Sequence, residues 1–147
     1  LSEIDEEKRF RFILETNGIL LGADPSYCKD LARFRCLHVR VSLKGSSESD
    51  FAELTGAKGE AFTLQVDALK NLYDAEVSCH PAVMSSFSKP DNLQRLRERL
   101  STIDRRLVHD LEIEELIRYP RVERRLHQYG LKPYISHDPR NVPERLV

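Results

Sequence analysis

The sequence predicts an α/β fold of parallel βα repeats, and three observations carry that prediction. Leu37, Val39, Val41 and Leu43 alternate with His38, Arg40, Ser42 and Lys44, the two-residue period of a strand. Phe62, Val66, Leu69 and Tyr73 recur at the spacing of one helix face, and so do Leu93, Leu96, Leu100, Ile103 and Leu107. Strand and helix patterns also take turns along the chain, about four times over, which implies a parallel sheet with right-handed crossovers.

The first strand is expected near residues 10–15, where Phe10-Arg11-Phe12-Ile13-Leu14 is rich in β-prone side chains. It stops on Glu15-Thr16-Asn17-Gly18, because Asn and Gly both tolerate positive φ and turn the chain. Asp24-Pro25 reads as a helix start, with a stripe of Tyr27, Leu31 and Phe34 through 25–34. The second strand covers 37–43 and ends on Lys44-Gly45. One helical turn is expected at 51–54, then a helix over 60–73. The third strand is expected near 76–82, with Pro81 marking its end or a bulge. A long helix follows over 91–108, then a fourth strand near 110–116. A last helix ends at Gly130, a normal glycine stop. The tail from 132 onward has little periodicity and is expected to lie over the surface. Residues 3–9 are charged and helix-like.

The 147 residues fit one domain by the usual size relation. Hydrophobic residues make up 40% and charged residues 32%, the balance of an ordinary globular chain. Net charge is −1, so bulk electrostatics name no partner. No apolar run reaches the length of a membrane span, and no signal-peptide pattern is present. Cys28, Cys36 and Cys79 are odd in number and widely spaced. They fit reduced thiols of a cytoplasmic protein, small core residues on strands at 36 and 79, and no disulfide framework or metal-ligand pair.

In a parallel sheet all strand C-termini share one edge, the usual place for a site. Glu15, Thr16, Asn17, Ser42, Lys44 and His80 are therefore expected to meet there. Lys44 suits a ligand carboxylate or phosphate. Glu15 suits an ammonium or a cation. Thr16 and Asn17 offer donors and acceptors, and His80 can donate or accept. Each residue taken singly also has a bland explanation as a turn former, a solvated strand end or a satisfied core histidine. No Ser/His/Asp grouping, Walker-type loop or G-x-G-x-x-G is present.

Taken together, Glu15-Thr16-Asn17-Gly18, Val39-Arg40-Val41-Ser42-Leu43-Lys44-Gly45, Leu54-Thr55-Gly56 and the helix with Ala68-Leu69 resemble radical S-adenosylmethionine (SAM) proteins. The likeness is to the activating enzymes of glycyl-radical enzymes, of the pyruvate formate-lyase activating type. It covers residues 10–84 with its motifs and 110–120 by strand order. In that family one strand ends on Asp-Thr-Asn-Gly and the next on Asp-Leu-Lys, and these ends hold the methionine part of SAM and, in some members, a cation. The resemblance implies that Thr16, Asn17 and Lys44 contact SAM. Glu15 stands where the family has Asp. Ser42 also replaces an Asp, which puts the cation site in doubt. The family's Pro-Tyr-His near SAM has no counterpart, because Arg118-Tyr119-Pro120 lacks the His.

The resemblance further implies the C-terminal four strands of a partial (β/α)6 TIM-like barrel, and an oxidoreductase chemistry that cleaves SAM reductively to a 5′-deoxyadenosyl radical. That chemistry needs a [4Fe–4S] cluster on a C-x-x-x-C-x-x-C loop, and no such spacing occurs here. The expectation is a fragment of a longer radical SAM domain whose cluster is bound by residues outside this chain, so that the chain alone is inactive. An electron donor and a substrate, protein or RNA in many family members, would be its partners. A strand at 10–14 that has lost its neighbour would leave a bare, β-prone edge, and the isolated chain is expected to self-associate through it. Two other functions compete. One is a non-catalytic α/β binding module for a small anionic ligand or a partner protein. The other is a nucleic-acid-associated domain using Arg118, Arg121, Arg124 and Arg125, which ranks last because acids alternate with those arginines and no aromatic platform accompanies them.

Overall fold

The computed structural model describes residues 10–146. Its centre is a four-stranded, all-parallel sheet in the order β1-β2-β3-β4, formed by β1 (Phe12–Thr16), β2 (Leu37–Leu43), β3 (Cys79–Met84) and β4 (Glu112–Glu114). Between β1 and β2 lie α1 (Ile19–Ala23) and α2 (Ser26–Leu31). Between β2 and β3 lie α3 (Glu48–Thr55) and α4 (Ala61–Asp74). Between β3 and β4 lie α5 (Pro90–Ile103) and α6 (Arg105–His109). The expected α/β class and the parallel pairing are thus both present.

Register fixes which side chains share a face. Val39 pairs with Cys79, Val41 with Pro81 and Leu43 with Val83, and Val83 pairs with Ile113. These residues face the helices. There they join Phe51, Phe62, Val66, Leu69, Leu72, Leu96, Leu100 and Leu107 in one buried cluster. Burying a side chain of this size contributes about 1.5–3 kcal/mol, so this face holds the fold together. The other face is polar. Arg40 pairs with Glu15 on β1 and with His80 on β3, while Glu112 and Glu114 pair with Ala82 and Met84.

Several elements differ from expectation for local reasons. The third strand begins at Cys79, not near 76, because the chain is still leaving α4: Glu76 sits at φ 58 and Val77 N–H donates to Leu72 O at 2.9 Å. Pro81 does not end the strand. Val39 N–H donates to Ser78 O, so residues 78, 80 and 82 turn their backbone groups toward β2 and Pro81 turns its own toward β4. Pairing with β4 starts only at Ala82, so the missing N–H disrupts neither ladder. The expected helix over 91–108 is broken at Asp104, whose extended backbone starts α6 and whose carboxylate accepts from Arg106 N–H at 2.8 Å. The turn expected at 51–54 is the full helix α3, capped by Ser47 Oγ, which accepts from Asp50 N–H. Residues 19–23, given no element in the sequence reading, form α1. The charged stretch 3–9 lies outside the described residues.

Beyond β4 the chain forms β5 (Leu116–Ile117), α7 (Pro120–Tyr129), β6 (Ser136–His137) and a 3-10 turn (Glu144–Leu146). The tail does more than cover the surface. β6 pairs in parallel with β5, and Tyr134 N–H donates to Ser86 O at 2.7 Å, just past the end of β3. Glu115 anchors it through His137 and through two bonds from Arg145, at 2.7 and 2.9 Å.

Among the described residues no strand pairs with the outer edge of β1, and Ile13 on that strand is 59% exposed. No described helix is long and apolar enough to cross a membrane. Cys28 is fully buried on α2, although the sequence reading placed only Cys36 and Cys79 on core strands; Cys36 directly precedes β2 and Cys79 opens β3.

Candidate functional site

Five of the six expected site residues gather at the C-terminal ends of β1 and β2, which parallel pairing puts on one edge, and a single buried side chain ties the two ends together. Gln65, on α4, is fully buried. Its Nε2 donates to Asn17 O at 2.7 Å and to Ser42 O at 3.0 Å, and its Oε1 accepts from Lys44 N–H at 3.4 Å. One carboxamide thus ties both strand ends to one helix, and a Gln inside the apolar stripe of α4 was the sequence signal for it.

The turn after β1 is held by its own side chains. Thr16 Oγ1 accepts from Gly18 N–H at 3.1 Å, and Asn17 Oδ1 accepts from Ile19 N–H at 3.1 Å. Gly18 is required there: its φ is 76, and a Cβ would lie 2.9 Å from both Ala68 Cβ and Val41 Cγ1. With their acceptor oxygens occupied, the Thr16 hydroxyl hydrogen and the Asn17 amide hydrogens remain for a ligand. Lys44 is exposed, and its ammonium makes no hydrogen bond or ion pair among the described residues. Behind it Gly45, at φ 86, lets the chain turn against Asp50, which accepts from Ser46 N–H and Ser46 Oγ at 3.1 and 2.9 Å. A cation, an amide and a hydroxyl thus lie on adjacent strand ends, groups of the kind from which an anion accepts hydrogen bonds.

His80 does not join this edge. It is the second residue of β3 and belongs to a chain of polar contacts nearer the opposite end of the strands. Arg11 Nη2 is an obligate donor and lies 2.7 Å from His38 Nδ1, so that nitrogen is an acceptor. His38 Nε2–H then donates to His80 Nδ1 at 2.6 Å, and His80 Nε2–H donates to Glu112 Oε2 at 3.2 Å. The two rings are stacked at 4.9 Å. Beside Arg11, His38 and Ser78 opens a cavity of about 530 Å³, also lined by Asp104, Arg106 and Asp110. Its charges are mixed, and it sits at the N-terminal ends of β2 and β3, away from Lys44.

Glu15 faces the polar side of the sheet, where its Oε1 receives Arg40 Nη1 at 2.8 Å and Ser42 Oγ at 3.0 Å. The sequence reading offered Glu15 as a holder of an ammonium or a cation; one of its oxygens already has a guanidinium. Arg40, His38, Glu112 and Glu114 were read only as a polar alternation. Their shared parity with Ser42 was the available signal, but which strand lies beside which decides their contacts.

No protein-family model, curated protein or solved structure matches this chain.

The histidine chain gives stability a pH dependence of definite sign. Burial, then the charges of Arg11 and His80, holds His38 below its ordinary value of 6.5, against a weaker opposing pull from Asp110. Between that lowered value and 6.5 the unfolded chain binds more protons than the folded one, so stability is full above 6.5 and falls below it. Glu112 is held below its ordinary 4.5, chiefly by its bonds from Arg40, so its contribution is present above 4.5 and is lost as pH falls through the lowered value. The urea midpoint should therefore drop from about pH 7.5 to about pH 5.5, and His38→Gln should flatten that drop. Equal slopes in the two proteins would exclude His38 as the source.

Proposed function

We propose that this chain is the SAM-binding part of a radical SAM enzyme, contributing the last four strands of a partial (β/α)6 barrel. One observation carries the reading: parallel pairing brings the end of β1, Glu15-Thr16-Asn17, to the same edge as the end of β2, Ser42 to Lys44, with the Lys44 ammonium unpartnered among the described residues and the acceptor oxygens of Thr16 and Asn17 already bonded to backbone N–H groups. The donors that remain fit the carboxylate of an amino-acid ligand, which is one end of SAM. Lys44 binds that carboxylate, Thr16 and Asn17 orient it, and Glu15 presents an acceptor from the polar face of the same strand end. A polar face opposite the helix-covered one also suits the inside of a barrel, where side chains meet a ligand instead of a hydrophobic core.

The residues present do not fit the iron–sulfur cluster. Among the described residues no three of His, Cys, Asp or Glu are grouped to hold a metal ion. Burial pushes the Cys79 thiol up to about 11 and raises Cys28 as well, the opposite of what thiolate ligands need. A cluster that supplies the electron for SAM cleavage would be held by residues outside this chain.

Lys44→Ala tests the reading through SAM binding by equilibrium dialysis. A charge-assisted bond from a lysine to a carboxylate is worth about 1.5–3 kcal/mol, so affinity should fall roughly tenfold to a hundredfold. Unchanged affinity would reduce Lys44 to a solvated strand end. The same free cation also supports a second reading, a binding module for a small anion. Inorganic phosphate bound through Lys44, with no SAM binding, would favour that module.

A further inference from the structure

The polar face of the sheet carries three carboxylates around one guanidinium. Arg40 reaches all of them from the middle of β2. Its Nε and Nη2 clasp both oxygens of Glu112, at 2.9 and 3.0 Å. Nη2 also donates to Glu114 Oε1 at 2.6 Å, and Nη1 donates to Glu15 Oε1 at 2.8 Å and to Ser42 Oγ at 3.0 Å. Five N–H donors thus meet five acceptors, the full capacity of a guanidinium. The Ser42 hydroxyl, having accepted from Arg40, donates to Glu15 Oε1 and closes a three-membered ring of contacts.

Burial is unequal around this hub. The Arg40 side chain is 14% exposed, whereas that of Glu15 is 64% exposed. Glu112 and Glu114 hold Arg40 from β4 and would be enough to fix it as a structural ion pair. The Nη1 branch reaches the other way, to the end of β1, and pins one oxygen of Glu15, while Oε2 makes no hydrogen bond among the described residues. We infer that Arg40 is a tethered counter-cation of the ligand site, a positioning residue that orients Glu15 toward the ligand. Glu15 Oε2 is then the acceptor for a donor group on the ligand, and binding needs no added Na⁺ or K⁺. The inference rests on the proposed ligand site at the ends of β1 and β2.

Ligand affinity and cation binding are measured separately, with SAM as the ligand probe and guanidinium or K⁺ as the cation probe. The parent protein should bind SAM equally in sodium, potassium and tetramethylammonium chloride at one ionic strength. Arg40→Ala should lose about tenfold or more in SAM affinity and recover it with millimolar guanidinium or K⁺, since removing the side chain leaves three carboxylates around a cation-sized gap. Independently of SAM, low-millimolar guanidinium should raise the melting temperature of Arg40→Ala saturably, should not do so in the parent, and should do so less strongly in Arg40→Ala combined with Glu15→Gln, where only Glu112 and Glu114 remain to hold it. A parent that binds no SAM would remove the proposed function, while the melting series would still decide the tethered cation. Parent-like SAM affinity in a folded Arg40→Ala, or no saturable cation effect, overturns the inference. Should Arg40→Ala not fold, Arg40→Lys decides: it keeps one charge but cannot serve five acceptors. About tenfold weaker SAM binding with an unchanged circular dichroism spectrum supports the role, and parent-like binding overturns it.

Discussion

Gly22→Ala should lower the stability of the fold by about 3 kcal/mol or more, the upper range for forcing atoms into a packed interior. A Cβ at position 22 would lie 1.9 Å from Leu64 O and 2.7 Å from Leu64 C. Both are backbone atoms of α4, so no side chain can rotate away. The helix α1 cannot slide aside cheaply either. Asn71 Nδ2 donates to Leu21 O at 2.8 Å, and Leu21 enters the hydrophobic core. Relief therefore requires α1 to lift off α4, which withdraws Leu21 and pulls on the Thr16–Asn17 turn immediately before it. Urea unfolding measures the effect as a lowered midpoint. A loss below about 0.5 kcal/mol, the range of an ordinary surface change, would mean that the two helices are not in this contact.

Gln65→Leu is expected to cost about 2–4 kcal/mol, although it replaces a polar residue in the core with an apolar one of similar size. The reason is what it abandons: the carbonyls of Asn17 and Ser42 and the amide of Lys44 lose their partner, and a buried group left unpaired costs about 1–3 kcal/mol. The same change should loosen the proposed ligand site without touching a ligand, because the ends of β1 and β2 are tied together through this carboxamide. Hydrogen exchange at the Lys44 amide should accelerate, and, on the proposed function, SAM affinity should fall with it. Gln65→Glu makes a useful companion, since a carboxylate cannot donate to the two carbonyls and should be at least as harmful. Parent-like stability in Gln65→Leu would show that water replaces the lost bonds at little cost, and that the clamp is not needed.

The local patterns of this chain were readable because their causes are local. Strand β2 was located to the residue by its alternation, and α4 to within a residue at each end by its apolar stripe, since periodicity depends only on neighbours a few positions away. The turn at Glu15-Thr16-Asn17-Gly18 was likewise legible, and so was the placing of Lys44 at a strand end beside it, because parallel order puts all C-termini on one edge. Other boundaries failed where one residue outweighed the pattern. Asp104 broke a continuous leucine stripe by capping a new helix, and Glu76 delayed the third strand by taking a left-handed conformation that β-propensity does not report.

What only the tertiary structure decided is which polar side chains touch. His38, Arg40, Glu112 and Glu114 look like a solvated alternation when read along the chain. Their partners lie as far as 74 residues away, and the register of four strands, one step of which would turn every side chain to the other face, brings them together. The same register moved His80 away from Lys44 and into the histidine pair, because β3 starts at Cys79 and aligns His80 with Arg40 in mid-strand. Composition and spacing could supply the residues for an anion site. The guanidinium that already occupies Glu15, and the glutamine that ties its strand to the next, follow from packing between segments distant in sequence, and no local pattern encodes such contacts.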